Sequence, residues 1–174
     1  QLSFVSGYSN VAFLPGLGGS RLYRPDPDGP DNEDKLWEPN GLNDIPQMSL
    51  SSAGVSEDNS IYARGIVDET LLRVDDWPGT NTYKTFAEYM DDELVGEGII
   101  NAWKPLPYDW RLMFEDVVSN GSADTAGNIN YSQATSTPFI LEELARLAST
   151  SDSGKVTIMT HSNGGLVAKY LLCL

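Results

Sequence analysis

Two residue types that build many active sites are nearly missing from this chain. Of its 174 residues, one is cysteine, Cys173, and one is histidine, His161. A lone cysteine excludes an intramolecular disulfide and a zinc site made of paired thiolates. A lone histidine excludes a metal site made of several imidazoles. Positive charge is scarce as well: 11 Lys and Arg stand against 25 Asp and Glu, a formal net charge of −14. So acidic a surface repels phosphate backbones, which argues against nucleic acid as a partner. It argues equally against adhesion to anionic lipid through a basic patch. No apolar run approaches the ~20 residues that span a bilayer.

The hydrophobic fraction is 40%, with 10% aromatic. That suffices for a core and excludes disorder of the whole chain. The length suits roughly one domain. The first residue is Gln1 rather than Met. A processed mature form and a trimmed chain both fit that start. Asn120-Gly121-Ser122 and Asn130-Tyr131-Ser132 match the glycosylation triplet. Such triplets arise often by chance and matter only in a eukaryotic secretory pathway.

Val11 to Leu14 is an apolar run closed by Pro15-Gly16-Leu17-Gly18-Gly19-Ser20, which reads as a buried strand and a glycine-rich turn. Residues 24–60, rich in Pro, Gly, Asp, Asn and Ser, read as a surface excursion rather than core. A strand pair is expected at Ile61 to Val67 and Leu71 to Val74. From Thr82, the spacing of Tyr83, Phe86, Ala87, Met90 and Leu94 predicts a helix that ends at Gly96 and Gly98. The aromatic-rich stretch 99–114 suggests a strand and then a packed turn. Residues 119–136 lack periodicity and read as a loop. A helix follows with Thr137 as N-cap, Pro138 at its first position, and Leu141, Leu144 and Ala148 on one face. Lys155 to Thr160 is a strand and Ser162 to Leu174 an amphipathic helix. Alternating strands and helices with short turns predict an α/β fold with a mainly parallel sheet covered on both faces.

The strongest local signal is Thr160-His161-Ser162-Asn163-Gly164, set between that strand and that helix. A strand–turn–helix is the setting of a nucleophile elbow, where a serine sits on a strained turn with its oxygen above the sheet. The positions two before and two after the serine are expected to crowd each other and to be small. Gly164 meets that demand; Thr160 does not. The competing reading makes Ser162 a plain helix N-cap. Acyl transfer at a serine also needs donors for the oxyanion. One is the backbone N–H after the nucleophile, here Asn163, and another comes from the loop after an early strand. Pro15 to Ser20 is such a loop. A phosphate cradle is the alternative, but no Gly-Lys-Ser/Thr ending follows.

Four blocks together resemble the lecithin:cholesterol acyltransferase and lysosomal phospholipase A2-like family of the α/β-hydrolase superfamily. Phe13 to Leu22 resembles the family's opening Pro-Gly block, and Thr82 to Leu94 the helix after it. Pro107-Tyr108-Asp109-Trp110-Arg111-Leu112 matches its most specific motif, and Val156 to Leu172 resembles the nucleophile strand, elbow and helix. The resemblance implies an α/β-hydrolase fold, a mostly parallel sheet with helices on both faces, represented over residues 1–174 by its N-terminal part and truncated after the elbow helix. It implies a serine-dependent lipid acyl ester hydrolase or O-acyltransferase. Ser162 would be the nucleophile, and the backbone N–H groups of Leu17 and Asn163 the oxyanion donors. No cofactor and no metal are implied. A lipid ester would be the substrate, with transient membrane-surface contact. Within 24–60, Trp37, Leu42, Ile45 and Met48 are candidate lipid contacts, set against the reading that they pack on the domain. The animal enzymes staple this region with a disulfide, which this chain cannot form. The resemblance favours a secreted, lysosomal or vacuolar lumen.

A hydrolase of this fold orders its triad Ser, Asp or Glu, then His. His161 precedes Ser162 by one position and is not expected to be the base, because neighbours on an elbow point apart; its expected job is structural, or shaping the pocket beside Ser162. The triad acid and base are therefore expected outside these residues, in the remainder of the fold beyond Leu174. On that expectation these residues alone do not turn over. The alternatives are a noncatalytic lipid-binding or interaction remnant and an esterase acting on a non-lipid substrate. Asp109 and Arg111 read as a buried pair organising a turn. The acidic stretch Asp26 to Asp34 fails the EF-hand pattern and reads as a solvated loop. Cys173 reads as a small core residue.

Overall fold

The computed structural model describes residues 7–26, 32–70 and 80–174. In chain order its elements are β1 (Asn10–Leu14), β2 (Ser20–Pro25), β3 (Glu33–Trp37), α1 (Asp44–Gln47), β4 (Tyr62–Ile66), β5 (Glu69–Thr70), β6 (Thr80–Asn81) and α2 (Lys84–Tyr89). A π-helical turn, Met90–Val95, continues α2. Then come β7 (Trp103–Pro105), α3 (Phe114–Ser119), β8 (Ser122–Ala123), β9 (Ile129–Asn130), α4 (Phe139–Ser149), β10 (Val156–Thr160) and α5 (Gly164–Leu171).

Strand β1 is the centre of a three-stranded sheet ordered β10-β1-β7, with both neighbours parallel to it. All five of its residues are buried, as expected of a strand covered on both faces. Side chains alternate across a strand, and here the alternation separates two cores. Ala12 and Leu14 join Val117, Val118, Ile140, Leu147, Val167 and Ala168 from α3, α4 and α5. Val11 and Phe13 meet Met90, Ile100 and Tyr83 on the other side. The buried polar exception, Asn10, is fully paired. Its Nδ2 donates to Leu147 O and Thr150 Oγ1, both at 3.0 Å, and its Oδ1 accepts Ala102 N–H at 2.9 Å.

The sheet is thus parallel at its centre, but most strands lie elsewhere. A second, antiparallel sheet runs β3-β2-β4-β9-β8. The expectation of a mainly parallel sheet is corrected accordingly: the molecule is mixed α/β. Residues 24–60 are not wholly an excursion either. β3 pairs with β2, and Leu36, Met48 and Asp44 are buried. Apolar islands in a polar segment are enough to make a strand when an antiparallel partner lies beside it. Likewise residues 119–136 contain two short strands, and Ile129 is buried. The strand at 61–67 is present as β4, paired with β2 and β9. Its expected partner at 71–74 lies outside the described residues.

Helix α4 starts at Phe139, with Pro138 rather than Thr137 in the cap position. Phe139 N–H donates to Gly121 O at 2.7 Å, so the backbone of the preceding loop does the capping. Its buried face is Phe139, Ile140 and Leu147, while Leu141 is exposed. Cys173 is exposed, not in the core, because α5 ends at Leu171. The described part of the acidic stretch is paired: Arg24 reaches Asp34 at 3.0 Å, and Arg64 binds Glu33.

Candidate active site

The site lies where the C-terminal ends of β1 and β10 meet, Leu14 opposite Thr160. Ser162 follows β10 by two residues and has φ +48°. Among the described residues it is the sole non-glycine residue with positive φ. A side chain with a Cβ resists that region, and such strain persists only when surrounding structure imposes it. What imposes it is visible. His161 N–H donates to Leu14 O at 3.1 Å, which extends the β1–β10 ladder up to the turn. Gly164 and Gly165 amides then close onto His161 O and Ser162 O at 2.9 and 3.0 Å. Three residues, His161 to Asn163, separate the strand end from the helix start, and Ser162 absorbs the reversal.

Helix α5 begins at Gly164 with Asn163 at its cap, and no side chain caps it. Ser162 therefore does not serve as the helix cap. It is exposed, and among the described residues its hydroxyl has no hydrogen-bond partner. The glycine two residues on is required, though not for the reason the spacing suggested. A Cβ on Gly164 would run into the Leu14 carbonyl oxygen and lie 2.7 Å from that of Pro15. The end of β1, not Thr160, does the crowding. Thr160 is exposed and meets only ordinary contact, 3.5 Å from a Cβ placed on Gly165. A β-branched residue is thus tolerated there.

The loop after β1 is pressed onto this turn. A Cβ on Gly16 would lie 2.8 Å from His161 Nδ1 and 3.1 Å from Ser162 Cβ. Three aromatic side chains from separate parts of the chain hold the loop backbone. Tyr108 donates its hydroxyl to Pro15 O at 2.9 Å. Gly16 N–H donates to Tyr83 Oη at 2.9 Å. Trp37 Nε1 donates to Gly18 O at 2.7 Å. Gly19 N–H closes the turn on Gly16 O at 2.9 Å. Among the described residues, the amides of Leu17 and Gly18 are left without an acceptor, and so is that of Asn163. Orphan amides are normal at a helix start. Here one such amide and two loop amides flank an exposed serine, a donor set suited to an oxyanion.

The Pro107–Leu112 block supports the loop from below. Tyr108 is fully buried, and burial pushes its phenol up to about 12. It stays a neutral donor to Pro15 and accepts Asn163 Nδ2 at 3.4 Å. Ser20 Oγ accepts Tyr108 N–H and Ser20 O accepts Trp110 Nε1. Asp109 and Arg111 form the expected buried pair at 2.6 Å, with 2% and 4% of their side chains exposed. Arg111 also donates to Met48 O and Ser56 Oγ. The motif thus fastens residues 48–56 to the base of the loop.

The four lipid-contact candidates separate. Leu42 is completely exposed and Ile45 61% exposed. The buried Asp44 carboxylate accepts the Asn40 and Gly41 amides and holds that loop in shape. Met48 is buried in the main core, so it has no surface to give a lipid. Trp37 is half-buried, edge-on to Trp110 at 5.1 Å. Leu17 itself is 67% exposed. Sequence reasoning missed Tyr83, Tyr108 and Trp37 as supports of the loop. Their signal was weak, since aromatic residues at those spacings also read as core.

His161 contacts Tyr83 through Nδ1 at 2.8 Å. It is the single histidine of these 174 residues, and among the described residues no hydrogen bond joins its ring to the Ser162 hydroxyl. Comparison with models of known families, with curated proteins and with solved structures finds no match to this chain.

Proposed function

We propose that this protein is the nucleophile-bearing part of a serine-dependent acyl ester hydrolase or O-acyltransferase on an α/β-hydrolase scaffold. The observation that carries the reading is Ser162 at φ +48°, exposed at the middle of a three-residue strand-to-helix turn. Its setting adds support: β1 and β10 lie side by side, and the loop after β1 offers unpaired amides next to the serine. In this reading Ser162 Oγ attacks an ester carbonyl. The oxyanion takes hydrogen bonds from the Leu17 and Asn163 amides, the alcohol leaves with a proton, and an acyl-serine remains. Water or a second alcohol then accepts the acyl group. The general base and its carboxylate partner are placed outside these 174 residues. A lipid ester as substrate draws on the likeness of the Pro107–Leu112 block to the lecithin:cholesterol acyltransferase and lysosomal phospholipase A2-like enzymes, and on the exposed Leu17, Leu42 and Ile45.

The test is covalent capture. The native protein, treated with a fluorophosphonate and digested, is expected to carry the adduct on Ser162, and Ser162→Ala is expected to carry none. A folded native protein without an adduct at Ser162 overturns the reading. Liposome binding that persists in such a protein would instead favour a lipid-binding module without chemistry.

A further inference from the structure

Tyr83 stands just ahead of α2, far in sequence from both groups it touches. Its ring is buried, edge-on to Phe13 at 5.1 Å and to the His161 ring at 5.7 Å. Its oxygen lies 2.9 Å from Gly16 N and 2.8 Å from His161 Nδ1. A backbone N–H can only donate, so the phenol oxygen accepts from Gly16. The hydroxyl has one hydrogen left to place, and the neighbour within reach is His161 Nδ1. A nitrogen that accepts a hydrogen bond is bare, and a neutral imidazole then carries its hydrogen on the other nitrogen. Burial pushes the Tyr83 phenol up, which keeps that hydrogen in place.

We propose that Tyr83 is a positioning residue that sets two hydrogen-bonding states beside Ser162: it withdraws the Gly16 amide from the site, and it holds His161 as the Nε2–H tautomer. The first effect selects the oxyanion donors. With Pro15 O, Gly16 N and Gly18 O all engaged by aromatic side chains, the loop cannot rotate its backbone without breaking one of them, and the Leu17 amide stays free. The second effect gives His161 a role other than general base. Its Nδ1 is engaged and the residue is exposed, so the group it offers a bound molecule is an N–H donor, suited to a carbonyl or phosphate oxygen of an ester substrate. The functional meaning rests on the acyl-serine reading; the hydrogen-bond states do not.

His161 is the single histidine of these 174 residues, and in the full protein its ring nitrogens are identified in a 15N spectrum as the signals lost in His161→Gln. The uniformly labelled protein at neutral pH is expected to show protonation at Nε2 only, with Nδ1 a hydrogen-bonded acceptor. Tyr83→Phe keeps the packed ring and removes the hydroxyl. It is expected to give a mixture of tautomers, a shifted and faster-exchanging Gly16 amide, and fluorophosphonate capture at Ser162 slower by roughly 10- to 100-fold. Nδ1–H in the wild-type protein overturns the proposal, and that spectrum decides even where the variant does not fold. A tautomer and a Gly16 amide unchanged in Tyr83→Phe overturn it as well. Absent capture at Ser162 alongside the expected spectra removes the acyl-serine reading and leaves the Tyr83 network standing.

Discussion

Ser162 keeps a backbone conformation that glycine would adopt without cost. Left-handed φ at a residue with a Cβ is disfavoured by about 1 kcal/mol or more. Ser162→Gly is therefore expected to raise the stability of the folded chain by about 1 kcal/mol, seen as a higher urea midpoint with an unchanged slope. The same change removes the proposed nucleophile, so stability and function would move in opposite directions. An unchanged or lowered midpoint would mean that the turn is relaxed with serine in place. At this scale the sequence was informative about identity and less so about cause. Ser162 and Gly164 stood out from their spacing between strand and helix. The reason Gly164 is glycine, the carbonyls of Leu14 and Pro15, could not be read locally. Those atoms lie almost the whole chain away.

Elements show the same division. Strands β1 and β10 and helix α5 were legible because each is a short, uniformly apolar or cleanly periodic segment. Residues 24–60 misled because local polarity outvoted the few apolar positions, whereas pairing to β2 decides whether β3 forms. Helix α2 gives way to a π-helical turn at Met90, which no side-chain period announces, and Met90 is buried there all the same. The Pro107–Leu112 turn illustrates an element held by charge. Arg111→Met is expected to destabilise by about 3–5 kcal/mol, since it leaves Asp109 buried without its partner. It also removes the donors to Met48 O and Ser56 Oγ. Chemical denaturation measures the loss, and a cost below about 1 kcal/mol would show that the pair is not a fastening.

At the scale of the whole molecule, many of the ion pairs among the described residues brace the antiparallel sheet. Arg21 reaches Glu38 at 3.1 Å and also contacts Asp68, and Lys35 reaches Glu38 at 3.3 Å. Burial alone would raise Glu38, but the hydrogen bond from Arg21 and the charges of Lys35 and Arg21 outweigh it and hold the carboxyl below its usual range. Asp58 and Asp68 are also held low: in each, hydrogen bonds and nearby arginine charge overcome the effect of burial. A carboxyl whose pKa is lower when folded adds stability above its unfolded value and loses it as pH falls through the folded one. Stability at 0.15 M salt is thus expected to be level from neutral pH to about pH 5 and to fall progressively below about pH 4.5. The net charge of −14 acts the other way, since acid relieves its repulsion. That repulsion is spread over the surface and screened within ~8 Å at this salt, so the local pairs are expected to dominate. Urea midpoints taken between pH 7 and pH 3 decide it; a midpoint that rises on acidification would put repulsion first.

The pairing of β1 with β10 has a temporal side. Ser9 and Thr157 side chains hydrogen-bond across 148 positions of chain, and the β1–β10 ladder beside them leads straight into the serine turn. Contacts that close so long a loop form late, because the entropy of closure is lost before the contact returns anything. On a ribosome, the whole antiparallel sheet can be complete while the segment that positions Ser162 is still being made. The strained turn at Ser162 then takes shape only after the antiparallel sheet that precedes it in the chain.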